Sequence, residues 1–317
     1  MEIKGKRVLI TGGAGFLGRR IAERVWAKKP SFMFIPRKKG YDLTDLKKVR
    51  EMMDRHRPNI VIHSAAYYGG IWINKKYPAD IYFQNLIMGA NIIEAAKDYG
   101  VEKFVGIGTA CSYPGYLEGE LKEENLWDGP CHESVRNYGM TKKMMQIQCE
   151  AYKKQYGFNG IHLLLANLYG EWDSYNPERS HVVAALIRKF VEAKKDNAPS
   201  VEVWGTGSPI REFLYVGDAA DGIIKATELY DDTEPLNIGT GIGTSIRELV
   251  EMISEIVDFK GEIIWDSSKP DGQAKKIFDI SKMKKELNWV PEISLKEGLR
   301  RTIEWFDKNY QKAIERW

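Results

Sequence analysis

Tyr138 and Lys142 stand four apart in Tyr138-Gly139-Met140-Thr141-Lys142, a spacing that places two side chains on one face of a helix. An ammonium beside a phenol stabilises the phenolate and lowers the phenol's pKa. Such a pair can hand a proton to a carbonyl oxygen that is receiving hydride. Thr109 follows the apolar run Phe104-Val105-Gly106-Ile107-Gly108. A hydroxyl at the carboxyl end of a strand sits where ligands sit in parallel α/β sheets, and it can bond the same oxygen as Tyr138. Threonine is also a common turn cap. Upstream, Thr11-Gly12-Gly13-Ala14-Gly15-Phe16-Leu17-Gly18 follows a β-branched run and opens a helical pattern. Glycines at 12, 15 and 18 permit a tight turn and bring backbone N–H groups close to a pyrophosphate, and the helix N-terminus adds favourable partial charge. The strand–loop–helix setting separates this string from an ordinary glycine-rich turn.

The cofactor follows from the end of the second strand. An NAD-specific fold carries a carboxylate there for the ribose hydroxyls. Here Ile35-Pro36-Arg37-Lys38-Lys39 places three cations in a row, which suits a 2′-phosphate and favours NADP(H). The same run also reads as a solvated turn, and Asp42, the nearest carboxylate, keeps NAD(H) open.

These groups need a scaffold, and the hydrophobic pattern supplies one. Strands are expected at Lys6–Ile10, Ser31–Ile35, Asn59–His63, Lys103–Gly108 and Gly160–Leu165. Helices are expected at Phe16–Lys28, Asp45–Arg57, Ala79–Tyr99 and Asn137–Tyr156. Short apolar runs alternating with helices imply a parallel sheet covered on both faces. Right-handed crossovers then make it a doubly wound Rossmann sheet. After Ala166 the rhythm changes. Strands at Val201–Trp204, Glu212–Tyr215, Leu236–Ile238 and Glu262–Trp265 mix with helices at Val182–Ala193, Asp218–Leu229, Ser245–Val257 and Leu295–Asn309. The α/β fold thus divides into a dinucleotide-binding domain, 1–166 and 212–239, and a smaller mixed α/β lobe, 167–211 and 240–317.

Composition excludes other classes. With 317 residues, 43% apolar and 29% charged, the chain is globular and not disordered. Forty-seven basic against forty-four acidic residues leave a net charge of +3, too small for a nucleic-acid binder. No apolar run reaches the length of a membrane span, and Met1–Arg7 lacks the apolar core of a signal peptide. Three cysteines, Cys111, Cys131 and Cys149, are too few for a disulfide scaffold and fit a reducing cytoplasm. No Cys/His cluster has zinc spacing, so no metal is expected.

Taken together, the strings resemble the extended short-chain dehydrogenase/reductases, and among them the GDP-L-fucose synthase branch of epimerase–reductases. The likeness runs over nearly the whole chain. Beyond the Gly and Tyr/Lys motifs it is carried by Tyr77-Pro78-Ala79-Asp80 with Gln84-Asn85, Cys111-Ser112-Tyr113-Pro114, Asn167-Leu168-Tyr169-Gly170, Ser180-His181-Val182, Val203–Phe213 and Lys269-Pro270-Asp271-Gly272-Gln273. The resemblance implies NADPH-dependent epimerisation at C3 and C5 and reduction at C4 of a GDP-4-keto-6-deoxy sugar. It assigns Cys111 as base and His181 as acid, with Thr109, Tyr138 and Lys142 completing the catalytic set. For the cofactor it implies Gly12, Gly15, Phe16, Leu17, Gly18, Arg37, Lys38, Asp42, Leu43, Ala65, Ala66, Tyr138 and Lys142. For the nucleotide sugar it implies Asn167, Lys189, Trp204, Arg211 and Lys276. The base–acid pair is chemically apt: a 4-ketone acidifies the flanking C–H bonds, and thiol and imidazole can both be tuned towards neutral pKa. Arg211 suits a diphosphate through its forked donors, whereas Trp204 reads equally as a wall for the base or as core.

Three departures from the branch bear on the sugar. Thr109-Ala110-Cys111 stands where Ser-Ser-Cys or Ser-Thr-Cys is usual. Pro130–Asn137 brings His132 towards the site, and Glu171-Trp172 replaces Pro-His. Lys189 also stands for an arginine. A GDP-4-keto-6-deoxyheptose epimerase/reductase, a reductase alone, an epimerase with retained NAD, and a non-catalytic dinucleotide-binding protein are the alternatives. The branch also implies a homodimer through the helices Ala79–Tyr99 and Asn137–Tyr156.

Overall fold

The computed structural model describes residues 1–117, 119–269, 271 and 273–315. Pro270 and Gly272 of the Lys269–Gln273 string lie outside the described residues. Along each central strand, successive side chains enter different cores, as a pleated strand buried on both sides requires. Ile10, Ile62 and Val105 face one cluster, with Ile21, Val25 and Ile223 of the helices Phe16–Ala27 and Val216–Leu229. Leu9, Val61 and Phe104 face the other, with Val49, Ile92 and Met145 of the helices Leu46–His56, Pro78–Asp98 and Arg136–Tyr156. Among the described residues this builds a six-stranded parallel sheet in the order Leu236–Ile238, Gly160–Leu165, Lys103–Ile107, Ile60–His63, Arg7–Thr11, Phe32–Phe34. The doubly wound Rossmann expectation is met.

Strand order reverses beside Arg7–Thr11, whose neighbours are Phe32–Phe34 on one side and Ile60–His63 on the other. Loops leaving the carboxyl ends diverge there and open a crevice. Thr11 Oγ1 and His63 Nδ1 lie 2.8 Å apart across that point, and Thr11 Oγ1 accepts from Ala65 N at 3.3 Å.

The smaller half is mixed, also as expected. Ile210–Tyr215 pairs with Gly243–Ser245, Lys275–Phe278 and Asn167–Tyr169, and Lys275–Phe278 pairs onward with Glu120–Leu121. Ser200–Trp204 and Glu262–Asp266 form a separate parallel pair. The helices Val182–Lys195, Ile246–Val257 and Leu295–Lys308 enclose their own core, including Ile187, Phe190, Ile253 and Phe306. Ser245 and Glu248 close a reciprocal capping box that starts the second of these helices.

Several short elements were not anticipated: the helices Ile71–Lys76, Ser281–Leu287 and Tyr310–Ile314, and the strands Glu120–Leu121, Asn167–Tyr169, Gly243–Ser245 and Lys275–Phe278. Each is too brief to show a period, and Lys275-Lys276 breaks the apolar pattern of its strand. Pairing partners, not local sequence, make these segments regular.

Candidate active site

The glycine loop is shaped by close backbone approach. Gly12 has φ +69°, a conformation that favours glycine, and a Cβ there would stand 2.7 Å from Ala65 N. A Cβ on Gly18 would collide with the Gly12 carbonyl. Gly15 leads into the Phe16–Ala27 helix with no side-chain cap, and the first turn carries no acidic residue. Its orphan N–H groups are thus left to an anion. Ala65 and Ala66 border the loop from the neighbouring strand end, and Phe16 and Leu17 begin the helix. A dinucleotide pyrophosphate fits this cradle.

Arg37 and Lys38 are exposed at the rim. Asp42 is turned inward on its own loop. Its Oδ1 accepts from Thr44 N at 3.0 Å and from Thr44 Oγ1 at 2.8 Å, with Lys38 Nζ 3.9 Å from Oδ2. Those bonds hold its pKa below the ordinary carboxylate value, the Thr44 backbone first. Leu43 beside it is buried in the core under the loop.

The Thr109, Cys111 and Tyr138 segments are locked together. Thr109 starts a short turn, Ala110–Ser112, and its Oγ1 accepts from Cys111 N at 3.2 Å. The threonine is therefore a cap, and its O–H still has a proton to donate. Ser112 Oγ donates to the Gly139 carbonyl at 3.1 Å, and Cys131 Sγ donates to the Ser112 carbonyl at 3.3 Å. A Cβ on Gly139 would strike the Cys111 carbonyl. The glycine thus lets the helix carrying Tyr138 and Lys142 rest directly on the turn carrying Cys111.

Electrostatics in this cluster are set by burial. Tyr138 is raised well above the ordinary phenol range, first by desolvation and then by Cys111 and Tyr68. Lys142 is pushed down to about 8 by desolvation. The expected lowering of the phenol by its lysine is not what the structure has. The Lys142 ammonium lies 5.7 Å from the Tyr138 ring centroid, and its charge does not offset the loss of water around the phenol. The phenol is protonated at neutral pH, which is the state a proton donor needs.

His181 begins the Val182–Lys195 helix without a side-chain cap. Its ring stacks on Tyr68, with centroids 5.8 Å apart and planes 11° apart. It is exposed to solvent, and the protein packed around it lowers its pKa by desolvation. Tyr68 also lies near enough to Tyr138 to affect its titration. His181 is thus tied through its ring to Tyr68, and Tyr138 to Lys142 at 5.7 Å and electrostatically to Cys111 and Tyr68. Tyr68 is a site residue that the sequence reading missed.

Lys276 and Arg211 are register partners on adjacent strands. Burial lowers both pKa values, and Lys276 is electrostatically coupled to Cys111. Glu212, likewise unanticipated, is the hub that braces them. Its carboxylate accepts from Phe278 N at 2.7 Å and Gly241 N at 3.1 Å, besides Thr240 N. Asn167 Nδ2 donates to the Glu212 carbonyl at 2.9 Å. Trp204 is 66% exposed, which removes the core reading, and its Nε1 donates to Glu202 Oε1 at 3.2 Å. Lys189 Nζ donates to the Glu202 carbonyl at 2.7 Å, so it and Trp204 both bond the same residue.

The other departures resolve differently. His132 caps the Glu133–Val135 turn through Nδ1. Glu171 accepts from Tyr215 Oη at 2.8 Å and pairs with Arg20 at 3.1 Å. Trp172 carries Arg19 over its ring at 4.0 Å and packs on Trp305. Expected near the sugar, Glu171 and Trp172 have their side chains engaged by Tyr215, Arg19, Arg20 and Trp305.

Residues 8–239 match the model of the NAD dependent epimerase/dehydratase family. The chain belongs to that family. Over 311 residues it is 39% identical to "Probable GDP-L-fucose synthase 1" of Oryza sativa subsp. japonica, covering 98% of this chain and 94% of that protein. A GDP-L-fucose synthetase from Naegleria fowleri bound to NADP superposes with a TM-score of 0.90 at 27% identity, covering 98% and 97% of the two chains. A GDP-6-OMe-4-keto-L-xylo-heptose reductase from C. jejuni does so with a TM-score of 0.89 at 30% identity, covering 98% and 99%. The extended short-chain dehydrogenase/reductase resemblance is borne out. Among the described residues no group of three or more His, Cys, Asp or Glu could hold a metal ion, and no helix is long and apolar enough to cross a membrane.

Proposed function

We propose that this protein is an NADPH-dependent epimerase–reductase that inverts C3 and C5 and reduces C4 of a GDP-4-keto-6-deoxy sugar, giving GDP-L-fucose or a close analogue. The observation that carries this reading is the packing of the Cys111 turn on the Tyr138 helix, and in this reading His181, stacked on Tyr68, enters the same cleft. A reductase alone needs Thr109, Tyr138 and Lys142. A thiol and an imidazole in that cleft add the base and acid that inversion requires.

In this reading the sheet half, 1–166 and 212–239, holds NADP(H), and 167–211 with 240–317 holds the nucleotide sugar. Gly12, Gly15 and Gly18 receive the pyrophosphate, and Arg37 and Lys38 receive the 2′-phosphate. Arg211 and Lys276 grip the substrate diphosphate, while Asn167, Lys189 and Trp204 border the nucleotide. Cys111 removes a proton alpha to the ketone and His181 returns one to the opposite face. Thr109 and Tyr138 hold the C4 oxygen as negative charge builds on it. When bound, the dinucleotide supplies the hydride that C4 receives. Tyr138 then gives its phenolic proton to the C4 oxygen, and Lys142 stabilises the phenolate left behind.

A heptose substrate is the second reading, supported by the superposition on the C. jejuni heptose reductase. We place the chain in the cytoplasm, in keeping with three free thiols. A homodimer through the helices Pro78–Asp98 and Arg136–Tyr156 is supported by exposed Phe83 and Ile147 on them. The deciding experiment is turnover of GDP-4-keto-6-deoxymannose with NADPH in deuterium oxide, read by NMR. The expected product is GDP-L-fucose carrying deuterium at C3 and C5. C4 reduction without carbon-bound deuterium would refute the epimerase half. Exchange without NADPH consumption would refute the reductase half. No turnover, followed by turnover of the seven-carbon analogue, would establish the heptose reading.

A further inference from the structure

We propose that Tyr68 is the positioning residue for His181, its ring fixing the plane in which the imidazole meets the substrate carbon. This rests on the epimerase reading above.

Tyr68 lies on a loop held at both ends. On one side, Asn85 Oδ1 accepts from Tyr67 N at 2.9 Å, and Asn85 Nδ2 donates to the Tyr67 carbonyl at 2.8 Å. On the other, Gly70 N donates to the Arg179 carbonyl at 3.1 Å, and a Cβ on Gly70 would stand 2.8 Å from the Ser180 carbonyl. Asn74 Nδ2 braces the Gly69 and Gly70 carbonyls, each at 3.2 Å. The loop is therefore clasped to residues 179–180, immediately before His181. Between these anchors the Tyr68 ring lies nearly parallel to the imidazole, 5.8 Å between centroids.

Such a stack restricts rotation of the imidazole about its side-chain bonds. His181 heads its helix with no capping bond of its own side chain, so the phenol face fixes its ring plane. Proton return to carbon is sensitive to angle, because the reacting atoms must align within a near-attack geometry. Its stacking on His181 acts on the epimerisation half, whereas any effect of Tyr68 on Tyr138 falls on reduction of both products alike and leaves their ratio unmoved.

The test is the partition of products in deuterium oxide, together with the NMR signals of the His181 ring in histidine-labelled protein. In Tyr68→Leu the ring-current shift on His181 disappears, and the ratio of unepimerised C4-reduced product to epimerised product rises at least tenfold. Tyr68→Phe, which keeps the ring, restores both. Tyr68→Met is the second variant of similar bulk should the leucine form fold poorly. A purely structural role would slow both halves together and leave the partition unmoved. An unchanged partition in a folded Tyr68→Leu or Tyr68→Met protein, or unshifted His181 signals, overturns the proposal. Wild-type protein that places no deuterium on carbon refutes the epimerase reading itself, an outcome distinct from either.

Discussion

The Lys142 ammonium lies 5.7 Å from the centroid of the Tyr138 ring and 4.0 Å from Met145 Sδ, in a buried setting that stabilises its neutral form. Its pKa falls from 10.5 to about 8. Between these values the unfolded chain keeps a proton that the native chain has released, so native stability rises with pH across that window. Below about pH 8 the whole cost of the buried charge is present, on the order of 3 kcal/mol. Lys142→Met is therefore expected to raise the melting temperature at pH 7 while lowering C4 reduction at least a hundredfold. In the wild type, reduction should fall as pH rises through about 8, because the phenolate loses its cation. Lys142→Arg keeps the charge and should carry that limb to higher pH. Calorimetry and the pH profile of NADPH oxidation check all three. A wild-type profile that stays flat to pH 10 would show that the ammonium is not needed.

Cofactor preference turns on the loop after Phe32–Phe34. Arg37 and Lys38 are exposed, while the Asp42 carboxylate is occupied by Thr44. Replacing both cations in Arg37→Ala/Lys38→Ala should raise KM for NADPH tenfold or more, since a phosphate loses two charge-assisted partners. KM for NADH should change by less than threefold. The NADPH effect should shrink as salt is raised, because exposed charges are screened. Steady-state kinetics with both dinucleotides at two ionic strengths measures this. Equal losses for both would place the 2′-phosphate elsewhere.

Cys111→Ser and His181→Asn separate the two halves of the reaction. Each removes one proton-transfer group and should cut deuterium incorporation by about 10²–10⁴-fold, the usual contribution of a positioned acid or base. Tyr138 and Lys142 remain in place, so C4 reduction of unepimerised substrate should persist. The measurement is single-turnover NMR with NADPH in deuterium oxide. Parallel loss of reduction in both variants would instead mean that Cys111 and His181 are structural supports.

Much of the scaffold was legible because it is written locally. Leu9 between Val8 and Ile10, and Phe104 beside Val105, show the alternation of a strand buried on both faces, and the glycine loop sits at the junction it must occupy. Tyr138 and Lys142 were legible for the same reason: a helical spacing of four brings them together without help from elsewhere. Tyr68 carried no such signal. Its place depends on Asn85 and Arg179, distant residues that pin its loop through backbone bonds. Glu212 was hidden similarly, since its role is to satisfy N–H groups of Thr240, Gly241 and Phe278. The titration of Tyr138 was misjudged because spacing reveals a neighbouring charge but not the desolvation that outweighs it. Glu171 and Trp172 misled because following a motif in sequence does not fix the direction of a side chain.

Gly139 offers the sharpest test of how the Cys111 turn and the Tyr138 helix depend on each other. It lies inside the Arg136–Tyr156 helix, where alanine would ordinarily gain about 1 kcal/mol over glycine. A Cβ there would meet the Cys111 carbonyl, and Cys131 Sγ would stand only 3.0 Å away. The carbonyl is backbone and cannot rotate aside, so the turn must move as a unit. Such overpacking costs about 1–3 kcal/mol, enough to cancel or reverse the helical gain. Gly89 on the neighbouring helix is the contrast. Its nearest obstacle is the Met145 side chain, with Cγ at 2.8 Å, and a flexible thioether can repack. Gly89→Ala is therefore expected to cost less stability than Gly139→Ala, and because Met145 Sδ lies against Lys142 its effect on activity should fall on reduction rather than on exchange. Gly139→Ala should lose exchange and reduction together, since shifting the turn displaces Thr109 and Cys111 from Tyr138 at once. Thermal unfolding and the two half-reactions measured on both variants give the comparison. Full activity in Gly139→Ala would mean that the contact between the turn and the helix does not position the chemistry.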